Sequence, residues 1–159
     1  MTMYIGGVPA HPLVVHLAAV AIPLAAVMCL VWALRPGRFS PSWRLATVAT
    51  TTVAAVSLLL ARWTGEGLLA PMGLSEENLG DVAQHAQYAN ASTVATLALF
   101  VVAVLLYAVG LPRFSAKAPA WAPAALRALV VVAAVAAIVA AVLVGHAGAQ
   151  LAWADFPRG

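Results

Sequence analysis

The chain has 159 residues, of which 64% are hydrophobic and only 8% are charged, and its mean hydropathy is +0.99. A soluble domain carries about 25% charged residues, so this composition excludes a soluble globule and predicts segments that lie in lipid. The net charge of +3 comes from short basic clusters beside apolar segments. Such clusters are typical of membrane-topology signals rather than of a nucleic-acid surface, and we expect no nucleic-acid partner.

Four apolar segments are long enough to cross a bilayer as helices. They cover residues 12–34, 45–61, 92–111 and 124–146. Because only helices or closed barrels satisfy their backbone in lipid, the sequence predicts an all-α, up-down four-helix bundle in one domain, 1–159. Residues 62–91 form its longest polar connection, with a helical approach to the third span.

Basic residues set the expected orientation of the bundle. The connections after the first and third spans, together with the start of the fourth span, contain Arg35, Arg38, Arg44, Arg113, Lys117 and Arg127. The connection 62–91 contains four carboxylates and a single basic residue, Arg62. By the positive-inside bias, the two basic connections face the cytoplasm, so both termini face outside.

The histidines gather at the expected outer end. Measured at 1.5 Å per residue from the arginine at the inner end of each span, His16, Arg62 and His146 all lie roughly 27–28 Å away. These three residues therefore share one level near the outer edge of the hydrocarbon. His11 would lie roughly 7 Å further out, and His85 roughly 14 Å.

His16 and His146 are the candidate ligands of a haem b. Bis-imidazole ligation needs two histidines at equal height on facing helices, and Gly145 and Gly148 would leave room for the macrocycle. Arg62 could pair with a propionate. The alternative is that these are interfacial histidines with no cofactor.

A metal ion is the second possibility for this end. Copper or zinc would take three ligands from four candidates, which are His11, His16, His85 and His146. His11 and His16 are five residues apart, so within one helix their imidazoles diverge by about 140°.

Two carboxylates could support either site. Asp81 lies four residues before His85 on the same helix face and could orient its imidazole. Glu66 lies one turn after Arg62 and could accept a proton. The alternatives are an ordinary solvated pair for Asp81 and a surface ion pair with Arg62 for Glu66.

Other functional classes find little support. Motifs for nucleotide binding, serine nucleophiles, covalent haem and zinc proteases are absent from the sequence, and we expect no independent catalytic activity. No charged residue lies in the middle of a span, which disfavours an ion-coupled transporter. An internal repeat is hinted at only by a histidine near the outer start of both odd-numbered spans.

Three motifs carry a family resemblance. They are Gly7-x-Pro9-x-His11-Pro12-Leu13-x-Val15-His16, Gln84-His85-Ala86 and Gly145-His146-x-Gly148-x-x-Leu151. With them the whole chain resembles a family of bacterial four-span membrane proteins catalogued as domain of unknown function 2231. The resemblance implies a bacterial cytoplasmic (inner) membrane. Members joined to Rieske-type iron-sulfur domains imply an electron-transfer setting.

Two functions follow from these observations. The first is a redox protein or respiratory accessory subunit that holds haem b or a metal ion at the outer histidines. The second is a non-catalytic structural or assembly subunit of a larger membrane complex, or a homo-oligomer, that binds no cofactor.

Overall fold

The structure is a computed structural model that describes residues 3–154. Over these residues it has a short hairpin followed by helices. The elements are β1 (Tyr4–Ile5), β2 (Val8–Pro9), α1 (Ala10–Leu34), α2 (Pro41–Leu69), α3 (Ala83–Val109), α4 (Pro112–Ser115) and α5 (Ala122–Ala152). Two 3-10 turns, Ala70–Met72 and Gly80–Val82, lie between α2 and α3.

Four of these helices are long and apolar enough to cross a membrane, and the fold is helical as expected. The candidate spans are Ala10–Leu34, Pro41–Met72, Gly80–Val109 and Ala122–Ala152. The helices extend beyond the apolar segments, so most of the expected connection 62–91 is helical. The connection between α2 and α3 is reduced to residues 70–82.

The long helices form a ring in the order α1, α2, α3, α5. Each contacts its two neighbours, most extensively in the pairs α1–α2 and α3–α5, while α1 and α3 barely touch across the centre. Short connections make all neighbours antiparallel. We call the end formed by the starts of α1 and α3 the histidine end, and the opposite end, with connections 35–40 and 110–121, the arginine end.

Small side chains fill the core. Ala26, Ala103 and Ala134 are completely buried, and the buried set is mostly alanine. In lipid, helices associate through close van der Waals packing because lipid is as apolar as the side chains, and alanine lets backbones approach. The buried polar side chains of the described residues are all hydroxyls on α2 and α3. They are Thr47, Thr51, Ser57, Thr64, Ser92, Thr93 and Thr96.

The hairpin before α1 determines where that helix begins. Gly6 and Gly7 both have positive φ, +59° and +82°, as the two central residues of a tight hairpin turn require. The turn pairs β1 with β2, and the Ala10 amide donates to the Met3 carbonyl at 2.8 Å. Helix α1 therefore starts at Ala10, and His11 lies in its first turn.

The bundle consists of two similar helical hairpins, α1–α2 and α3–α5. A shift of 74 residues from α1 to α3 matches buried positions in the pairs Ala18/Ser92, Ile22/Thr96, Ala25/Leu99, Cys29/Ala103 and Trp32/Leu106. A shift of 83 residues from α2 to α5 matches Thr47/Val130, Thr51/Ala134, Ala54/Ala137, Ser57/Ala140 and Thr64/Ala147. The same burial pattern thus occurs twice in one chain.

Candidate functional site at the histidine end

His11 joins α1 to α2 at the histidine end. Its Nδ1 lies 2.9 Å from the Ala61 carbonyl oxygen and 3.4 Å from the Thr64 hydroxyl. Its ring lies against Gly65, where a Cβ atom would come within 2.9 Å of the imidazole Cε1. Glycine at this position therefore makes the space that the ring occupies.

His85 makes the same set of contacts between α3 and α5. Its Nδ1 lies 3.1 Å from the Val144 carbonyl oxygen, and a Cβ atom on Gly148 would come within 3.1 Å of its Cε1. In both hairpins the glycine follows the carbonyl residue by four positions, one turn further along the helix. The shifts of 74 and 83 residues that match the buried positions also match these contacts.

These contacts indicate which ring nitrogen donates in each histidine. A carbonyl oxygen only accepts hydrogen bonds, so Nδ1 of His11 and Nδ1 of His85 each carry the hydrogen and donate. In the neutral form, each Nε2 then has a lone pair, and among residues 3–154 neither Nε2 has a hydrogen-bond partner. His11 lies in the first turn of α1 and His85 in the first turn of α3, so both are at the histidine end of the bundle. Ligating histidines usually donate their other N–H to such a carbonyl, so each ring has the hydrogen bond that is typical of a metal ligand.

His16 and His146 occupy different positions from those expected for facing ligands. Both are exposed, and the His16 ring contacts the Pro12 carbonyl of its own helix. Because α1 already includes His11, the five-residue spacing turns His16 away from the interior. At this end of the bundle, His11 and His85 lie between helices, whereas His16 and His146 lie on the outer surface.

The two glycines proposed to leave room for a macrocycle differ in their surroundings. Gly148 accommodates the His85 ring, while a Cβ atom on Gly145 would meet nothing within 4 Å. Neither glycine therefore lines a cavity next to His16 or His146.

Arg62 joins α2 to α3 on the surface. It pairs with Glu66 at 2.8 Å, with both side chains more than 40% exposed, and it donates to Asn90 Oδ1. The surface ion pair that was the alternative for Glu66 is therefore present. Asp81 is exposed in the turn before α3, and His85 Nδ1 donates to Val144 instead of to Asp81.

A metal site with three protein ligands is not found among the described residues. Within the part of the chain that the structure describes, no three His, Cys, Asp or Glu side chains form a group that could hold a metal ion. The candidate site at the histidine end is a pair of imidazoles.

Sequence reasoning missed the partners of these imidazoles, which are Ala61, Gly65 and Val144. The available signal was a glycine in the last turns of both α2 and α5, in Thr64-Gly65 and in Ala147-Gly148. The equivalence of Gly65 and Gly148 becomes evident only when the two helical hairpins are superimposed in sequence by the shift of 83 residues.

A groove on the surface between α3 and α5 lies apart from this site. It has a volume of about 650 Å³, and Asn90 is the polar side chain in an otherwise apolar lining that includes Val94, Ala98 and Val132. Such a lining suits lipid chains and offers no groups for catalysis.

Comparisons of the chain with protein-family models, with curated proteins and with solved structures found no match.

Proposed function

We propose that this protein is a multi-pass membrane redox protein whose outer end binds a haem b or a copper ion through His11 and His85. One observation carries the proposal: both rings donate Nδ1–H to a backbone carbonyl, His11 to Ala61 and His85 to Val144. This leaves two Nε2 atoms, on different helices, for one metal centre.

The number of ligands favours haem b over zinc. Structural and catalytic zinc sites use three or four protein ligands, whereas haem iron needs at most two because the macrocycle supplies the others. Copper(I) can also be held by few ligands, and it is the alternative metal. When bound, either group would supply one-electron transfer. The protein would orient the imidazoles and set their basicity through the two carbonyls.

The membrane setting of the proposal is the cytoplasmic membrane of a bacterium, with both termini outside. The arginine end carries most of the basic residues, and the turn region 70–82 carries three of the five carboxylates of the chain. This asymmetry supports an arginine end in the cytoplasm. The resemblance to domain of unknown function 2231 adds the electron-transfer setting of a respiratory accessory subunit.

Absorption spectroscopy of the purified protein tests this proposal. We expect a Soret band and, after dithionite reduction, the narrow visible bands of a bis-imidazole haem, or else one copper per chain by elemental analysis. Protein that carries neither group after expression with added haem precursor and copper would contradict it.

A structural subunit is the second candidate, because the same two hydrogen bonds also tie each helix pair together. Under this alternative His11 and His85 hold the bundle in shape for a larger membrane complex or for a second copy of the chain. Substituting His11 and His85 with asparagine, which keeps a donor, would then leave stability and partner co-purification nearly unchanged. The redox proposal predicts loss of the bound group in the same variant.

A further inference from the structure

The groove between α3 and α5 runs along the outer surface of the bundle and begins near the histidine end. On α3 its lining repeats every four residues, from Asn90 to Val94, Ala98 and Val102, because residues four apart share one face of a helix. On α5 the lining consists of Leu129, Val132, Ala133 and Ala136. Its volume of about 650 Å³ lies within the range of ligand pockets, about 300–1,000 Å³.

The groove has the length of one leaflet of a bilayer. Asn90 contacts Arg62, which lies roughly 27 Å along α2 from Arg44 and therefore near the edge of the hydrocarbon. From Asn90 to Val102 the groove extends roughly 18 Å towards the arginine end, and the hydrocarbon of one leaflet is about 15 Å thick. The groove therefore starts at the headgroup level and ends near the middle of the membrane, as the acyl chain of a lipid does.

Hydrogen-bond donors lie at the upper end of the groove. Arg62 donates from Nη1 to Asn90 Oδ1 and from Nε to Glu66. Because the arginine binds Oδ1, the Asn90 amide nitrogen keeps both of its N–H groups, and in the described part of the chain neither these nor Arg62 Nη2 have a hydrogen-bond partner. A guanidinium and an amide that both still have N–H groups to donate suit a phosphate, which offers several acceptor oxygens.

We propose that this groove binds one phospholipid of the leaflet at the histidine end. Asn90 and Arg62 donate to its phosphodiester, and one of its acyl chains lies in the groove between α3 and α5. The Glu66 carboxylate balances the charge of Arg62, so the phosphate is recognised through N–H donors rather than through a net positive charge. The binding of this lipid does not depend on a cofactor at His11 and His85.

Native mass spectrometry of the delipidated protein in detergent tests this site, with dioleoylphosphatidylglycerol as the ligand and dioleoylglycerol as the same chains without phosphate. We expect one phosphatidylglycerol per chain at low concentration and weaker binding of dioleoylglycerol. Asn90→Asp keeps the acceptor for Arg62 but replaces the amide donors with a carboxylate that repels phosphate. We expect this variant to bind phosphatidylglycerol about ten-fold more weakly or worse. Asn78→Asp makes the same change at an exposed amide in the connection 70–82 and should bind as the parent protein does.

A second pair of variants tests the groove itself. Ala98→Phe fills it from its exposed side, and we expect a similar loss of phosphatidylglycerol binding. Val101→Phe adds a ring to the exposed surface of α3 outside the groove lining and should change nothing.

Parent-like binding by Asn90→Asp would mean that Asn90 only ties α3 to Arg62, and it would overturn the proposal. Parent-like binding by Ala98→Phe, or equal binding of dioleoylglycerol and phosphatidylglycerol to the parent, would overturn it too. The same holds if the protein purified from membranes retains a phosphorus-free molecule, such as a quinone, in this groove.

Discussion

At the scale of single residues, the histidine end is defined by two imidazoles that each fill the space left by a glycine. His11 against Gly65 and His85 against Gly148 combine a hydrogen bond to a carbonyl with close ring packing. The two features depend on each other. Because the glycine has no side chain, the ring can lie over it and donate to the carbonyl of the residue one turn before the glycine in the same helix.

Substitution of these glycines tests that packing. In Gly65→Ala the new methyl group would lie 2.9 Å from the His11 ring, and we expect a loss of about 1–3 kcal/mol in unfolding free energy. Gly148→Ala should lose less, because its closest approach is 3.1 Å. Gly145→Ala is the matched control: it meets nothing within 4 Å, and alanine's helix propensity should make it neutral or stabilising by up to about 1 kcal/mol.

Unfolding in mixed detergent micelles gives these free energies. The double variant His11→Ala/Gly65→Ala should lose less than the sum of the two single variants, since removal of the ring removes the collision. Additive losses would show that the ring and the glycine do not meet.

At the scale of helices, the repeated burial pattern predicts equal behaviour at matched positions. Ala54 in α2 and Ala137 in α5 are both buried to 1% or less, while Ala136 is exposed in the groove between α3 and α5. Ala54→Leu and Ala137→Leu should each cost about 1–3 kcal/mol through overpacking, and Ala136→Leu should be nearly neutral. The same unfolding assay checks this; an equal cost at Ala136 and Ala137 would contradict the burial pattern.

The helices were largely predictable from the sequence, and their ends were not. Apolar runs mark what lies in hydrocarbon, but α2 continues through Arg62 and Glu66 because their ion pair and Asn90 satisfy these polar groups. The repeated burial pattern of the two helical hairpins could not be recognised from the sequence either. Alanine-rich segments look alike in any register, and the two hairpins differ in the length of their connection at the arginine end.

The sequence predicts the end of the bundle at which the site lies, but it does not predict which histidines face the interior. Counting residues places all four histidines at one end, yet which of them face inward depends on where α1 begins. The start at Ala10 depends on the Gly6-Gly7 hairpin, and it turns His11 inward and His16 outward. The carbonyls that accept from His11 and His85 lie 50 and 59 residues away in the sequence, and only packing brings them near.

At the scale of the whole molecule, the proposed redox protein has its histidine end outside the cytoplasm. In a Cys29→Ala background, a membrane-impermeant maleimide added to intact cells should label Glu76→Cys, which lies in the connection 70–82. It should label Ser115→Cys, at the arginine end, only after the cells are permeabilised. The reverse pattern would invert the orientation.

The most direct test of the central claim compares two double variants for bound haem and copper. His11→Ala/His85→Ala removes the inward pair, and His16→Ala/His146→Ala removes the exposed pair while leaving the same number of histidines. We predict that the purified first variant lacks the Soret band or the copper of the parent protein, and that the second retains it. Retention by the first variant, or loss by the second alone, would contradict the assignment of His11 and His85 as the ligands.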